Sequence, residues 1–127
     1  MNGNMVRNKG QRGERELCEL LLRSLDIEAV TRNLDQVREG GADIMDIPGL
    51  AIEVKRQEVL SVNVWWKQAV KQAVDTGRMP VLAYRQNRKP WYFCLPASLI
   101  VPGSWDYLMI KEADFIAWLQ NFFKNNC

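Results

Sequence analysis

The spacing of hydrophobic residues predicts that helices and short strands alternate along the chain. Leucines at positions 17, 20, 21 and 25, with charged residues between them, predict a helix over residues 10–25. A second helix is expected to begin at Ser61 or Asn63 and to end near Thr76, and a third is expected over 111–124. Short apolar and β-branched segments predict strands at 27–31, 42–47, 50–56, 79–85 and 91–95. The order α-β-β-β-α-β-β-α is typical of a mixed sheet flanked by helices.

Turn-forming and polar residues separate these elements. Residues 1–8 are polar and basic and are expected to form a flexible arm, which leaves residues 9–127 as a single domain. Pro48 and Gly49 lie between two predicted strands and indicate a hairpin. Residues 32–41 predict a loop, residues 86–90 a basic turn, and residues 100–110 an irregular connection.

Three ionisable residues lie within the predicted hairpin. Glu53 and Lys55 are two residues apart on one strand and therefore project from the same face. A three-residue turn at 47–49 would set Asp43 opposite Glu53, with Cβ atoms roughly 4.5–5.5 Å apart. A two-residue turn would put Asp43 on the other face. We expect the odd-length turn, or an equivalent bulge, because burying these groups is costly unless they pair or bind a metal.

The composition is that of a globular domain, but histidine is missing from it. The chain has 127 residues, of which 25% are charged and 47% hydrophobic, and none is histidine. The absence of histidine excludes Ser-His-Asp and Cys-His relays and His-ligated zinc. Chemistry at this chain would have to use carboxylates, lysine, a hydroxyl, a thiol or a bound metal.

The three cysteines indicate neither a zinc site nor a disulfide framework. Cys18, Cys94 and Cys127 are an odd number and are widely spaced, and the first two lie in apolar segments typical of a core. Unpaired thiols suit a reducing compartment. No signal peptide is visible, and no segment approaches the roughly 20 apolar residues that cross a bilayer. We therefore expect a cytoplasmic protein without membrane contact.

Charge is segregated along the chain although the net charge is only +2. Residues 1–15 carry a net +3, residues 16–53 a net −6 from three basic and nine acidic residues, and residues 54–90 a net +6. An acidic block between two basic blocks is the pattern expected of a metal-dependent enzyme that acts on a polyanion. The alternative is that the blocks interleave on the folded surface without functional meaning.

The residues of the hairpin fit that chemistry. Two carboxylates at the spacing of Asp43 and Glu53 repel each other unless a divalent cation lies between them. Oxygen ligands without histidine or cysteine favour Mg²⁺ or Mn²⁺. The Lys55 ammonium would then lie beside the metal, where it can bind a scissile phosphate and favour ionisation of the attacking water. The alternative for this spacing is a structural salt bridge in a strand pair.

This arrangement resembles the PD-(D/E)xK nuclease superfamily, with Asp43, Glu53 and Lys55 matching its D…ExK motif, although Ala42 stands where the motif has proline. Upstream, residues 9–17 (KGQRGEREL) resemble the KGxxxERE(L) opening of archaeal-type Holliday junction resolvases and related phage nucleases. The resemblance covers residues 9–95. It implies a restriction-endonuclease-like mixed sheet, a prokaryotic or phage DNA endonuclease dependent on Mg²⁺ or Mn²⁺, a four-way junction or other branched DNA as substrate, and a homodimer.

The resemblance also assigns two further residues to the site. It places Glu14 among the metal ligands with Asp43 and Glu53, whereas stabilisation of the helix dipole is the alternative for an acid near a helix start. It places a glutamine of the second helix near the metal, where Gln68 is preferred over Gln72 and Gln57. Ordinary solvation is the alternative for these glutamines.

Several basic residues are candidates for holding the DNA backbone. Those of the second helix could equally form a solvated face, and the flexible arm and the 86–90 turn are the exposed basic segments. Tryptophans at 65, 66 and 91 could stack on bases but are more typical of core. The apolar last helix is expected to cover the sheet or to form part of a dimer interface. The candidate backbone contacts are Arg7, Lys9, Arg12, Arg15, Lys67, Lys71, Arg85, Arg88 and Lys89.

Overall fold

Within the residues that the structure describes, the protein folds as a four-stranded sheet covered by helices on both faces. The computed structural model describes residues 3–28 and 42–126, with side chains from residue 11 onwards. Within these residues the elements are α1 (Gly3–Leu25), β1 (Leu50–Arg56), α2 (Val62–Val74), β2 (Met79–Arg85), β3 (Tyr92–Pro96), β4 (Tyr107–Lys111) and α3 (Glu112–Asn126), with a 3₁₀ turn at Ala97–Leu99.

The sheet is mixed, as the sequence predicted. Its strand order is β1-β2-β3-β4, in which β1 and β2 are parallel and the other two pairs are antiparallel. Helix α2 is the crossover between the parallel strands, and such β-α-β connections are nearly always right-handed. The fold class is therefore confirmed as a restriction-endonuclease-like mixed sheet flanked by helices.

Alternation along β1 assigns its side chains to two different environments. Leu50, Ile52 and Val54 point into the larger core, against α1 and α3. The intervening side chains point to the other face, where Ala51 packs with Ala42 and with Ala73 of α2. This strand thus presents an apolar row to one layer of helices and its charged row to the other.

Helices α1 and α3 cover the first face. Leu17 and Leu21 of α1 and Phe115 and Leu119 of α3 are fully buried, which supports the prediction that the last helix covers the sheet. Helix α1 lies so close to β1 that a Cβ atom at Gly13 would be 2.7 Å from the Cβ of Arg56, a distance that only glycine accommodates. The glycine of the upstream motif is therefore a packing requirement.

Helix α2 covers the second face with aromatic residues. Trp65 and Trp66 are 4% and 5% exposed and pack against Tyr84 and Tyr107, with ring centroids 6.0 and 5.5 Å apart. Trp91 is equally buried on the opposite face. The interpretation of all three tryptophans as core residues is confirmed. Cys18 and Cys94 are also buried as expected, and burial raises the pKa of the Cys94 thiol to about 12.

Several elements differ from the prediction. Helix α1 begins at Gly3 and not near Gly10, because no proline interrupts residues 3–10, so most of the expected flexible arm is helical. Residues 42–47 form a single β-bridge instead of a strand. Strand β4 lies in the segment that we expected to be irregular. Ile27 and Glu28 lie outside any strand, and the rest of the predicted 27–31 strand, with Cys127, lies outside the described residues.

No helix in the described parts of the chain combines the length and apolar character needed to cross a membrane.

Candidate active site

The hairpin that precedes β1 has the register that the sequence predicted. Ile44 and Ile52 form an antiparallel bridge with two backbone hydrogen bonds of 3.1 and 3.0 Å. The turn closes with a hydrogen bond from Leu50 N–H to the Ile47 carbonyl, and Gly49 adopts a positive φ of 85°. Pairing of Ile44 with Ile52 sets Asp43 opposite Glu53, on the face that α2 covers.

Asp43 is held by the backbone of the strand that it faces. Its Oδ2 atom accepts a hydrogen bond of 2.8 Å from the Val54 N–H, and the residue is only 6% exposed. This bond satisfies a backbone donor just past the point where the β-bridge ends. The Asp43 carboxylate therefore takes the place of the next backbone partner along the arm, and this hydrogen bond fixes it beside Glu53.

Glu53 is a buried carboxyl among other acids. It is 5% exposed, and its pKa is raised from 4.5 to about 8, with burial as the first cause. The charge of Asp43, a hydrogen bond between the two carboxyl groups and the charge of Glu14 contribute to this rise in pKa, and the charge of Lys55 opposes it. The electrostatics therefore bring together all four ionisable residues that the sequence assigned to the site.

Lys55 offers a cation at the rim of this pocket. Its Nζ atom lies 3.8 Å from Glu53 Oε1, and about a fifth of the side chain is exposed. The Lys55 side chain is therefore partly open to solvent while its ammonium stays close to the Glu53 carboxyl group. A bound phosphate can reach it there without displacing the core.

The donor set suits a small, hard cation held by two carboxylates. Among residues 3–28 and 42–126, no cluster of three or more acidic, cysteine or histidine side chains forms a ready-made metal cage. Mg²⁺ is commonly bound through one or two carboxylates, with waters and substrate phosphates completing its shell. Asp43 and Glu53 fit that pattern, and a cation between them would offset the repulsion that contributes to the raised pKa of Glu53.

One residue that the sequence did not single out holds the hairpin arm in place. The Arg78 guanidinium, between α2 and β2, donates hydrogen bonds to the carbonyls of Met45, Ile47 and Leu50, the last two at 3.3 and 3.1 Å. The first two carbonyls belong to the segment that leads from Asp43 to β1 and pairs with it through one described bridge, and the third belongs to β1 itself. Arg78 therefore ties this segment to the start of β1.

We expect Arg78→Ala to loosen the arm and to lower turnover at this site by roughly tenfold, because disturbing the groups that position a metal ligand commonly costs 10- to 100-fold. The required Mg²⁺ concentration should rise at the same time. Steady-state cleavage over a Mg²⁺ titration measures both, and Arg23→Ala, which removes an exposed arginine of α1, is the control. An unchanged Mg²⁺ dependence would contradict this role for Arg78.

Helix α2 carries Gln68 and Gln72 past the strand that bears the site. Ala73 packs on Ala51, and α2 runs back along β1, so Gln68 lies about 7.5 Å along the helix from that contact and Glu53 about 6.6 Å along the strand. The two are therefore level. Gln68 is exposed, whereas Gln72, one turn further, is half-buried. Gln57 is exposed beyond the end of β1 and makes a backbone bond to Arg85.

Glu16 lies two residues after Glu14, about 200° further around α1, a spacing that predicts a solvent-facing side chain, but the structure shows it engaged. Its Oε2 atom accepts hydrogen bonds from Arg56 Nε at 3.3 Å and from Arg85 Nη1 at 3.0 Å. Arg56 is only 8% exposed, so this carboxylate pairs with a buried cation and ties α1 to β1 and β2. The partners are 40 and 69 residues away in sequence, which is why helical spacing alone could not identify them.

The candidate DNA-contacting residues divide into free and engaged groups. Arg85 is engaged, because it also donates to the Lys89 carbonyl at 2.7 Å. The side chains of Arg7 and Lys9 lie outside the described residues. The remaining candidates are exposed and available to a polyanion: Arg12, Arg15, Lys67, Lys71, Arg88 and Lys89.

A mixed sheet carrying paired carboxylates and a lysine on one strand defines a nuclease-like core, and comparison with known proteins agrees. The model of the family described as "Phage putative PDDEXK endonuclease" matches residues 5–124. The chain therefore belongs to this family of endonucleases.

A solved structure shares the fold. Hjc from Archaeoglobus fulgidus, a Holliday junction resolvase from an archaeal hyperthermophile, is 25% identical in sequence, with a TM-score of 0.54. The alignment covers 88% of this chain and 98% of Hjc. No curated protein matches the sequence significantly.

Proposed function

We propose that the chain is a Mg²⁺- or Mn²⁺-dependent DNA endonuclease that cleaves four-way junctions as a homodimer. The main observation that supports nuclease activity is that the Ile44–Ile52 register brings Asp43 to the face of β1 that bears Glu53 and Lys55. A four-way junction presents two symmetric strands to cut, and a two-fold dimer presents two such sites. Similarity to nearly the whole of a junction resolvase supports this substrate over others.

Each residue has a defined part in phosphodiester hydrolysis. Asp43 and Glu53 would hold the cation, with Glu14 as a third acid near them. The bound cation would supply Lewis-acid activation of water and of the phosphate. The Lys55 ammonium would bind a phosphate oxygen and stabilise the charge that develops there. Gln68 would orient water or phosphate from α2, and the exposed cations of α1, α2 and the 86–90 turn would hold the backbone.

Catalysis and substrate choice are tested together by incubating the protein with Mg²⁺ and three labelled DNAs: a mobile four-way junction, a flap and a linear duplex. We expect symmetric nicks in the junction and little cutting of the duplex, with no cleavage in EDTA. Light scattering at micromolar protein should give a dimer mass.

The results separate the alternatives. Preferential cutting of the flap, or a monomer mass, would favour another branched-DNA nuclease of the same superfamily. Binding without cutting of any DNA would indicate an inactive DNA-binding module on the same scaffold. The phage family supports action in the cytoplasm of a prokaryotic host, where such DNA occurs.

A further inference from the structure

A small apolar surface stands beside the candidate active site. Val59, Leu60 and Val64 are 79%, 42% and 57% exposed. They lie between the end of β1 and the first turn of α2, and we call these three residues the apolar ridge. Grouped exposed hydrophobic residues are typical of a binding surface, whereas singly scattered ones are common on any protein.

Along the direction of β1, the ridge lies level with Lys55. Val64 is about 13.5 Å along α2 from Ala73, and Lys55 is about 13 Å along β1 from Ala51, the residue against which Ala73 packs. Val59 follows Lys55 by four residues, so it lies within about 14 Å of it along the chain. A phosphodiester held at Lys55 would thus have the ridge within about one or two nucleotides of it.

Hydrogen bonds hold the connection that carries the ridge. Gln57 N–H donates to the Arg85 carbonyl at 3.2 Å, Gln86 Nε2 donates to the Glu58 carbonyl at 2.7 Å, and Asn87 N–H donates to Glu58 Oε1 at 2.8 Å. The first two residues of the connection are therefore fastened to the end of β2 and to the 86–90 turn, immediately before Val59. An apolar surface held in this way is preorganised for contact.

The surroundings of the ridge are cationic. Lys67 and Lys71 follow Val64 by three and seven residues and so share its exposed helix face. Arg88 and Lys89 are exposed on the turn to which the connection is fastened. The centre of a protein–protein interface is depleted in lysine, whereas apolar side chains flanked by cations suit bases and phosphates.

We propose that the apolar ridge packs against unstacked base pairs at the branch point of the DNA, while Lys67, Lys71, Arg88 and Lys89 hold the phosphates around it. This proposal rests on the proposed function and adds how a branched DNA is distinguished from a duplex. Stacked bases in a linear duplex offer no face to the ridge, whereas a branch point does. Recognition of the branch therefore lies within one protomer, next to the carboxylate site.

The test measures binding separately from cleavage. A four-way junction with 2-aminopurine at the branch point is titrated with the full-length protein in Ca²⁺, which supports binding while limiting cleavage, and fluorescence reports unstacking. Replacing all three ridge residues by serine (Val59→Ser, Leu60→Ser, Val64→Ser) should abolish the fluorescence rise and weaken junction binding roughly tenfold. Affinity for a linear duplex should change by less than about twofold, because the cations remain.

A matched variant controls for loss of exposed apolar surface. Ile100 and Val101 are 71% and 57% exposed in the β3–β4 connection, at the opposite end of the sheet, and Ile100→Ser with Val101→Ser should leave both readouts unchanged. Circular dichroism melting checks that the ridge variant folds. An unaltered fluorescence rise in the ridge variant would overturn the proposal. So would conversion of a dimer into monomers, which would assign the ridge to a second copy of the chain.

The outcome is distinguishable from failure of the proposed function. A wild-type protein that unstacks the branch but cuts no DNA in Mg²⁺ would support the ridge and refute the nuclease. A wild-type protein that cuts junctions without a fluorescence rise would support the nuclease and refute the role of the ridge.

Discussion

Asp43→Asn is expected to lower junction cleavage by at least about 100-fold, since it removes one of two charged ligands from the proposed cation site. The fold should survive, because an asparagine side-chain oxygen can still accept the hydrogen bond from Val54 N–H. Removing a negative charge beside the DNA should leave junction binding in Ca²⁺ unchanged or slightly stronger. Single-turnover cleavage and a binding titration measure the two effects separately.

A carboxylate on the same arm provides the matched control. Asp46 is exposed, in contrast to Asp43, so Asp46→Asn should cleave at the wild-type rate. Mn²⁺ binding, followed by electron paramagnetic resonance without DNA, should be lost in the Asp43 variant and kept in the Asp46 variant. Wild-type cleavage by Asp43→Asn would refute the metal-dependent mechanism, whatever the DNA affinity.

The core of this site could be predicted because it depends on local rules. Strand alternation placed Glu53 and Lys55 on one face, and the need to compensate buried charge selected the three-residue turn that brings Asp43 to them. The Ile44–Ile52 bridge confirms that register. Strands β1 and β2 were likewise predicted with their observed bounds, because each is a short apolar segment bounded by turn residues.

What the sequence did not reveal depends on distant contacts. The arm before β1 was predicted as a full strand, but it pairs with β1 through the Ile44–Ile52 bridge, and Arg78, about 30 residues away in sequence, binds two of its carbonyls. Strand β4 was missed because it is the half-exposed edge of the sheet and follows the Pro102–Gly103 turn closely. Helical spacing predicted that Glu16 faces solvent. It could not show the two arginine partners of Glu16, because they come from two distant strands.

The metal-free protein is expected to lose stability as the pH rises, and Glu53 is the cause. Burial and neighbouring negative charge raise its folded-state pKa to about 8, whereas the unfolded chain has the ordinary value of 4.5. The folded state therefore binds more protons than the unfolded state between these values. The stabilisation is complete below pH 4.5 and is lost as the pH rises to 8, at up to about 1.4 kcal/mol per pH unit.

Urea unfolding in EDTA from pH 5 to pH 9, followed by tryptophan fluorescence, measures this slope. Glu53→Gln has no proton to lose and should flatten it, whereas Glu19→Gln, at an exposed position of α1, should leave it unchanged. Adding Mn²⁺ should restore stability above pH 7, because the cation favours the ionised carboxylates of Asp43 and Glu53 over the protonated pair. A pH slope that persists in Glu53→Gln would show that another group carries the effect. The same carboxyl that destabilises the metal-free protein at neutral pH is thus one of the two that we propose as cation ligands.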